Sequence, residues 1–412
     1  MRNDAIAVDT ARAVRTDYLS LLEGRHRTGV LGTLLFCVSS TDISASKGDL
    51  YVALGLARAL RDAGWGVSFW DVDHMAEQTP DDVDVAVVML ESWVPGFIHP
   101  ATKAVAWVRN WTTEWASLPY LDEFAEIWCS SNDAAERLSH AYEGTVRVVP
   151  LATDPELFDD PSADRTAGVV TTANYWGVER QIQTALEHVS EEVPVAWYGV
   201  NSDFLTLSGA IDKRDHVDYF ELPGVYGSWT VVVDDLIEAA AQFGTQNSRL
   251  FDALASGAMV VTNAGRGLDE LGLGDVPVYS DPQGLLEIVL ELSRDPDATA
   301  ERVARLRERV LELHTWAARA HALLEPLAGL RALPGSTERS PMLVWTTRLR
   351  DQMRRDRRAH DDYAELYFGA IRDVARLDGE VHHLTAVLGQ RRYRAADVIM
   401  KPLEPIRRRS RD

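Results

Sequence analysis

Residues 231–265 read VVVDDLIEAAAQFGTQNSRLFDALASGAMVVTNAG. Two apolar runs of strand length, Trp229 to Asp234 and Ala258 to Thr262, enclose a helical segment from Arg249 to Ser256. Asn247 and Ser248 are residue types that cap helix N-termini, and Gly257 is the type that ends them. Strands apolar on both faces suit a parallel sheet covered above and below. The free N–H groups and positive dipole end of the enclosed helix make a ready anion site. Asp252 lies four residues beyond Ser248 on the same helix face, where a carboxylate can accept two hydrogen bonds from a ribose diol. A phosphate site beside a ribose site implies a nucleotide.

The same alternation extends in both directions. Upstream, strand-length apolar runs at Leu31 to Cys37, Val67 to Trp70, Val83 to Leu90, Ala104 to Val108, Ile127 to Ser130 and Val146 to Pro150 predict one parallel sheet. Asp49 to Ala63 is an amphipathic helix between the first two. Leu151 to Thr166, rich in Pro, Asp and Ser, reads as a linker. A second series follows, with strands at Gly168 to Thr172, Pro194 to Gly199 and Val276 to Tyr279 besides the two already named. Helices are predicted over Val178 to Val189, Gln283 to Leu292 and most of Ala298 to Leu327. The expected fold is α/β, two doubly wound units over 1–155 and 156–330 with a ligand cleft between their strand ends, and a helical extension over 331–412.

In that extension Tyr363, Tyr367, Ala370, Val374, Leu377, Val381, Leu384 and Leu388 alternate spacings of four and three, a heptad seam. It suits either a self-associating coiled coil or a helix packed back on the body. From Arg391 to Asp412 eight Lys or Arg stand against three Asp or Glu. Such a tail, Arg391 to Arg411, suits either an anionic membrane surface or plain solvent.

Around Val231 to Gly265 the sequence resembles the C-terminal half of group 1 glycosyltransferases, family 4-like, with a pattern of DD, NSR, FDALA and G. It matches at Asp234, Asp235, Asn247, Ser248, Arg249, Phe251, Asp252, Ala253, Leu254, Ala255 and Gly257. The likeness continues through Gly267 to Leu271, Val278 to Asp281 and His314-Thr315-Trp316 with Arg319. It implies the GT-B fold of two Rossmann-like domains and a retaining transferase that takes a nucleotide-diphosphate sugar without a metal. Donor contacts are then expected from Arg180, Asn247, Ser248, Arg249 and Asp252. Arg180 follows the Thr171–Asn174 strand end, where the relatives carry a basic residue against the diphosphate; a salt bridge with Glu179 or Glu187 is its other reading. Many relatives carry a Glu at position 252 and another eight residues earlier, where this chain has Gly244. The likeness also suggests a glycan or lipid-linked acceptor and polysaccharide assembly at the cell surface.

In the first unit Ser44 to Leu50 matches the family's GD-x-x-x-A segment more loosely. Gly48 allows close backbone approach, and Asp49 is either a helix cap or a site residue. Arg109, Asn110 and Trp111 follow a strand end and so face the expected cleft. Asp49 and Arg109 are the catalytic candidates, and Asn110 and Trp111 the acceptor candidates. Trp107, Trp111 and Trp115 suit sugar stacking or, at their spacing of four, core packing.

The composition excludes other classes. A net charge of -21 in 412 residues opposes general nucleic-acid binding. Cys37 and Cys129, the two cysteines, read as buried apolar residues in a reducing compartment. Met1 to Arg15 lacks the apolar core of a signal peptide, and no stretch reaches the roughly 20 apolar residues of a membrane span, so a cytoplasmic protein is expected. Neither a phosphate-loop motif nor an H-E-x-x-H pattern occurs. Two rivals stay open: a scaffold that kept the fold and lost its donor site, and a nucleotide-sugar epimerase.

Overall fold

The computed structural model describes residues 2–159, 165–174, 181–199, 207 and 210–388. The first sheet consists of β1 (Gly32–Val38), β2 (Trp65–Asp71), β3 (Val85–Val88), β4 (Lys103–Val108), β5 (Glu126–Cys129) and β6 (Thr145–Val148). The second consists of β7 (Thr166–Thr171), β8 (Val195–Tyr198), β9 (Ile211–Arg214), β10 (Trp229–Asp234) and β11 (Met259–Thr262). Their orders are β2-β1-β3-β4-β5-β6 and β11-β10-β7-β8-β9, and all the pairings are parallel. The helices are α1 (Arg2–Leu22), α2 (Gly48–Asp62), α3 (Thr112–Ala116), α4 (Asn132–Ser139), α5 (Gln181–Val189) and α6 (Leu222–Gly227). Then come α7 (Glu238–Ala241), α8 (Ser248–Ala255), α9 (Pro282–Arg294), α10 (Pro296–Leu313), α11 (Trp316–Ala332) and α12 (Pro341–Leu388).

The continuous apolar runs become buried strands: β3, inside its sheet, and β11, at the end of its sheet, have no exposed residue. Two expectations need correction, and one strand was missed. Val276 to Tyr279 makes a single bridge, Thr262 to Val278, and is not a strand. β9 is an edge strand with three exposed polar residues of four, so no apolar run announced it. The helix expected over most of Ala298 to Leu327 is two, α10 and α11, because the Thr315 side chain accepts from Ala318 N and starts a new helix.

α1 was also unannounced. Val14, Tyr18 and Leu21 enter the core, and Asp17 is bound by Arg58 at 2.7 Å and by Arg61, both on α2. The chain crosses between the lobes at Thr153 and again at Thr315. The two crossings pair directly: Thr153 N donates to His314 O at 2.9 Å and Trp316 N to Thr153 O at 3.0 Å. α11 then packs on α2, where a Cβ on Gly55 would lie 2.3 Å from Trp316 Nε1.

The extension expected over 331–412 is not one piece, since the chain divides into compact units at Arg348 and Leu349. Residues 331–348 belong with the first lobe: Arg339 donates to the carbonyls of Ile98, His99 and Thr102, and Leu343 is buried. In the second unit, α12 carries its helical backbone through the seam at Tyr363 to Leu388. Val374, Leu377, Val381 and Leu384 on that seam are 50–66% exposed. The basic tail, Arg391 to Arg411, lies outside the described residues. No described helix is long and apolar enough to cross a membrane.

Candidate functional site

The strand ends of the two sheets face each other across a cleft of about 510 Å³. On the second lobe β10 ends at Asp234, which is fully buried. Its Oδ1 accepts from Asn247 Nδ2 at 2.7 Å and from Arg249 Nη1 at 2.5 Å. Arg249 continues to β7's end, Nε donating to Thr172 Oγ1 at 3.0 Å and Nη2 to Thr172 O at 3.1 Å. Burial is the largest single influence and works against this guanidinium's charge, but Asp234, Tyr226 and Asp235 together hold its pKa above the ordinary value. Arg249 is thus a strut between the strand ends, its position fixed before any ligand arrives.

Asn247 occupies the N-cap of α8 with extended backbone, yet its side chain goes to Asp234 and caps nothing. The first-turn N–H groups of α8 keep no side-chain partner and face the cleft with Ser248 and Arg249. Asn247 Oδ1 and Asp234 Oδ2 are buried without a hydrogen-bond partner.

Asp252 corrects the expectation of a ribose contact. It is buried, accepts from Thr153 Oγ1 at 2.7 Å and does not line the cleft. It lies on the face of α8 turned to the interlobe crossing, where burial pushes its carboxyl well above the usual range. Arg180 lies outside the described residues.

On the first lobe Asp49 is not a helix cap. That position belongs to Lys47, and Asp49 instead accepts from Ser39 N at 2.7 Å and Ser39 Oγ at 2.6 Å, tying the end of β1 to α2. Arg109 donates to Met89 O at 2.9 Å and leaves Nε buried without a partner. Burial lowers its pKa, with Asp49 and Glu91 acting the other way. Both line the cleft with Arg109, Asn110 and Trp111. Of the three tryptophans, Trp107 and Trp115 are core and only Trp111 reaches the cleft, 40% exposed. Its φ of +56° is a left-handed backbone that a bulky residue adopts rarely, and such outliers gather at functional sites.

Sequence reasoning missed Glu91, Thr245 and Gln246, which also line the cleft. Glu91 sits just past β3, so the strand-end rule that picked out Arg109 could have found it. A second chamber of about 180 Å³ was missed too, between Ser46, Tyr51, Thr172, Tyr198, His216 and Tyr219. There Tyr51 stacks on Tyr219 with ring centres 4.0 Å apart, joining the lobes. Gly244 has φ +69°, and the backbone of Gly267 lies 3.1 Å from where its Cβ would be. A Glu at this backbone conformation would be strained.

Residues 179–325 match the family described as glycosyl transferase-like. That segment is similar to the glycosyl transferase-like family, and the two lobes have the GT-B fold. The matched segment contains all of the second-lobe site from Asp234 to Asp252. No curated protein matches the sequence. Among solved structures, sucrose-phosphate synthase from Thermosynechococcus elongatus is similar at 14% identity and TM-score 0.56, over 73% of this chain and 99% of that one. HepE from Anabaena, in complex with UDP and glucose, is similar at 13% identity and TM-score 0.55, over 72% and 99%. The T4 phage BGT, with its UDP-glucose substrate, gives 9% identity and TM-score 0.51, over 73% and 99%. At these identities the likeness establishes the two-lobed fold.

Proposed function

We propose that this protein transfers a sugar from a nucleoside-diphosphate sugar, with retention of anomeric configuration, to a glycan or lipid-linked acceptor in cell-surface polysaccharide assembly. The observation that carries the reading is the uncapped start of α8 with Arg249 fixed beside it on the cleft floor. The diphosphate sits on those N–H groups, and Arg180 is the further basic contact expected from the sequence. UDP in HepE and UDP-glucose in the phage enzyme support this class of donor.

As the anomeric carbon–oxygen bond breaks, negative charge grows on the leaving phosphate. The helix start and Arg249 stabilise it without reorganising. The acceptor hydroxyl, held on the first lobe near Arg109, Asn110 and Trp111, bonds to the anomeric carbon on the same face. Its proton passes to the departing phosphate, so no protein base is assigned and Asp49 acts by positioning the β1 end. No metal or other cofactor is part of this scheme. The protein works at the cytoplasmic face of a membrane, with Arg391 to Arg411 against anionic lipid and Tyr363 to Leu388 pairing copies.

A thermal-shift panel of UDP, GDP, dTDP, CDP and ADP, with and without their common sugars, tests the donor site. A ligand at a hundred times its dissociation constant adds about 2.7 kcal/mol. Silence throughout, repeated with magnesium and manganese, supports the scaffold reading, which Gly244 in place of the relatives' Glu favours.

A further inference from the structure

Within the second unit, the exposed apolar residues of α12 fall on one line. Leu349 and Met353 are 44% and 58% exposed, and Val374, Leu377, Val381 and Leu384 are 50–66% exposed. At 3.6 residues per turn these positions share a face, on a helix whose 48 residues span about 72 Å. Isolated apolar residues on a surface need no explanation, but two groups of them, Leu349 with Met353 and Val374 to Leu384, on one face of one helix do.

Charge divides the same helix. Residues 349–360 hold five arginines, Arg350, Arg354, Arg355, Arg357 and Arg358, against two aspartates. Residues 361–388 hold six acids, Asp361, Asp362, Glu365, Asp373, Asp378 and Glu380, against two arginines. The chain therefore carries both the complement of its basic half and the complement of its apolar line.

We propose that α12 pairs antiparallel with α12 of a second copy, basic half against acidic half. This rests on the self-association of Tyr363 to Leu388 proposed above and extends it to Leu349 with a direction. Laying the two helices side by side and antiparallel, one residue from complete overlap, sets Met353 opposite Leu377 and Leu349 opposite Val381. Parallel pairing would put the five arginines of one copy beside those of the other. Asp356 and His360 interrupt the apolar line, and polar residues at seam positions lower stability while fixing register. An anionic membrane is the rival occupant of the basic half, but it has no use for the acidic half that continues the same line.

Single-cysteine variants of the full chain test the direction, because native Cys37 and Cys129 are buried. Light scattering should give about twice 45.8 kDa, and Leu377→Asp should raise the dissociation constant at least tenfold while circular dichroism keeps the fold. Mild oxidation of Met353→Cys mixed with Leu377→Cys should give covalent dimers of the two variants together. Either variant alone should give none, since its cysteines would lie about 36 Å apart along the helices. Disulfide dimers from each variant alone overturn the antiparallel arrangement and leave self-association standing. A monomer at all concentrations overturns both. So does a monomer that sediments with 30% phosphatidylglycerol vesicles and loses them on Arg350→Gln with Arg357→Gln.

Discussion

Thr153 Oγ1 donates to Asp252 Oδ1 at 2.7 Å, from the segment joining the two sheets to the helix that opens the proposed donor site. Burial first, and Asp154 nearby, raise the Asp252 pKa, while the Thr153 bond lowers it. A carboxyl whose folded pKa is raised contributes stability that is complete below the unfolded value and declines as pH rises toward the folded one. Asp252→Asn should therefore raise the melting temperature at pH 7 and flatten its fall above pH 4. A lower melting temperature at pH 7 with an unchanged pH profile would show that the carboxylate is charged and needed here.

His314 predicts the opposite slope. Burial is the largest cause holding it at about 4, while its bond to Leu271 O opposes the shift and Arg319 adds to it. Between 6.5 and about 4 the unfolded chain takes up a proton that the folded chain refuses. Stability should fall by roughly 3 kcal/mol as pH drops through that window. Urea unfolding of wild type and His314→Gln at pH 7 and pH 4.5 checks this: the variant should lose less between the two.

Arg249→Ala leaves Asp234 buried without its cation, which should cost about 3–5 kcal/mol. Arg249→Lys keeps the charge but cannot reach Asp234 and Thr172 together, so it should fold and lose most of the nucleotide-induced thermal shift. An undiminished shift in Arg249→Lys would remove Arg249 from the donor site.

Trp111→Gly relieves a left-handed backbone that costs a bulky residue roughly 1–2 kcal/mol. The melting temperature should hold or rise while KM for the acceptor increases at least tenfold. An unchanged KM would leave Trp111 without a role in acceptor binding.

Gly244→Glu restores the relatives' residue, yet its φ of +69° penalises any side chain. The variant should lose about 1–2 kcal/mol in chemical denaturation without gaining transfer rate. Higher activity would mean that the loop can relax and that the glutamate was lost for another reason.

Much of the fold was legible because parallel strands buried on both faces are written as unbroken apolar runs, such as Val85 to Val88 and Met259 to Thr262. β9 was not, since IDKR at a sheet edge buries one residue of four. α1 escaped because three core residues, Val14, Tyr18 and Leu21, are spread over a polar helix. At the site, Asn247 to Arg249 could be read from helix-start chemistry. The destination of Asp252 could not, because sharing a helix face with Ser248 does not say which neighbour that face meets. Gln246 belongs to the cleft through tertiary proximity alone, whereas Glu91 follows the end of β3 and was open to the same strand-end reasoning as Arg109.

The paired crossings at Thr153 and Thr315 bear on how the lobes move. Two separate connections would act as door hinges and fix one axis of swing. Here both strands of the joint are bonded to each other at one place, so they act as a single pivot, and the direction of swing is left to the contacts around the rim. Tyr51 on Tyr219 is one such contact. The chamber beside that stack is lined by residues of both lobes, so its width follows the angle at which the two halves meet.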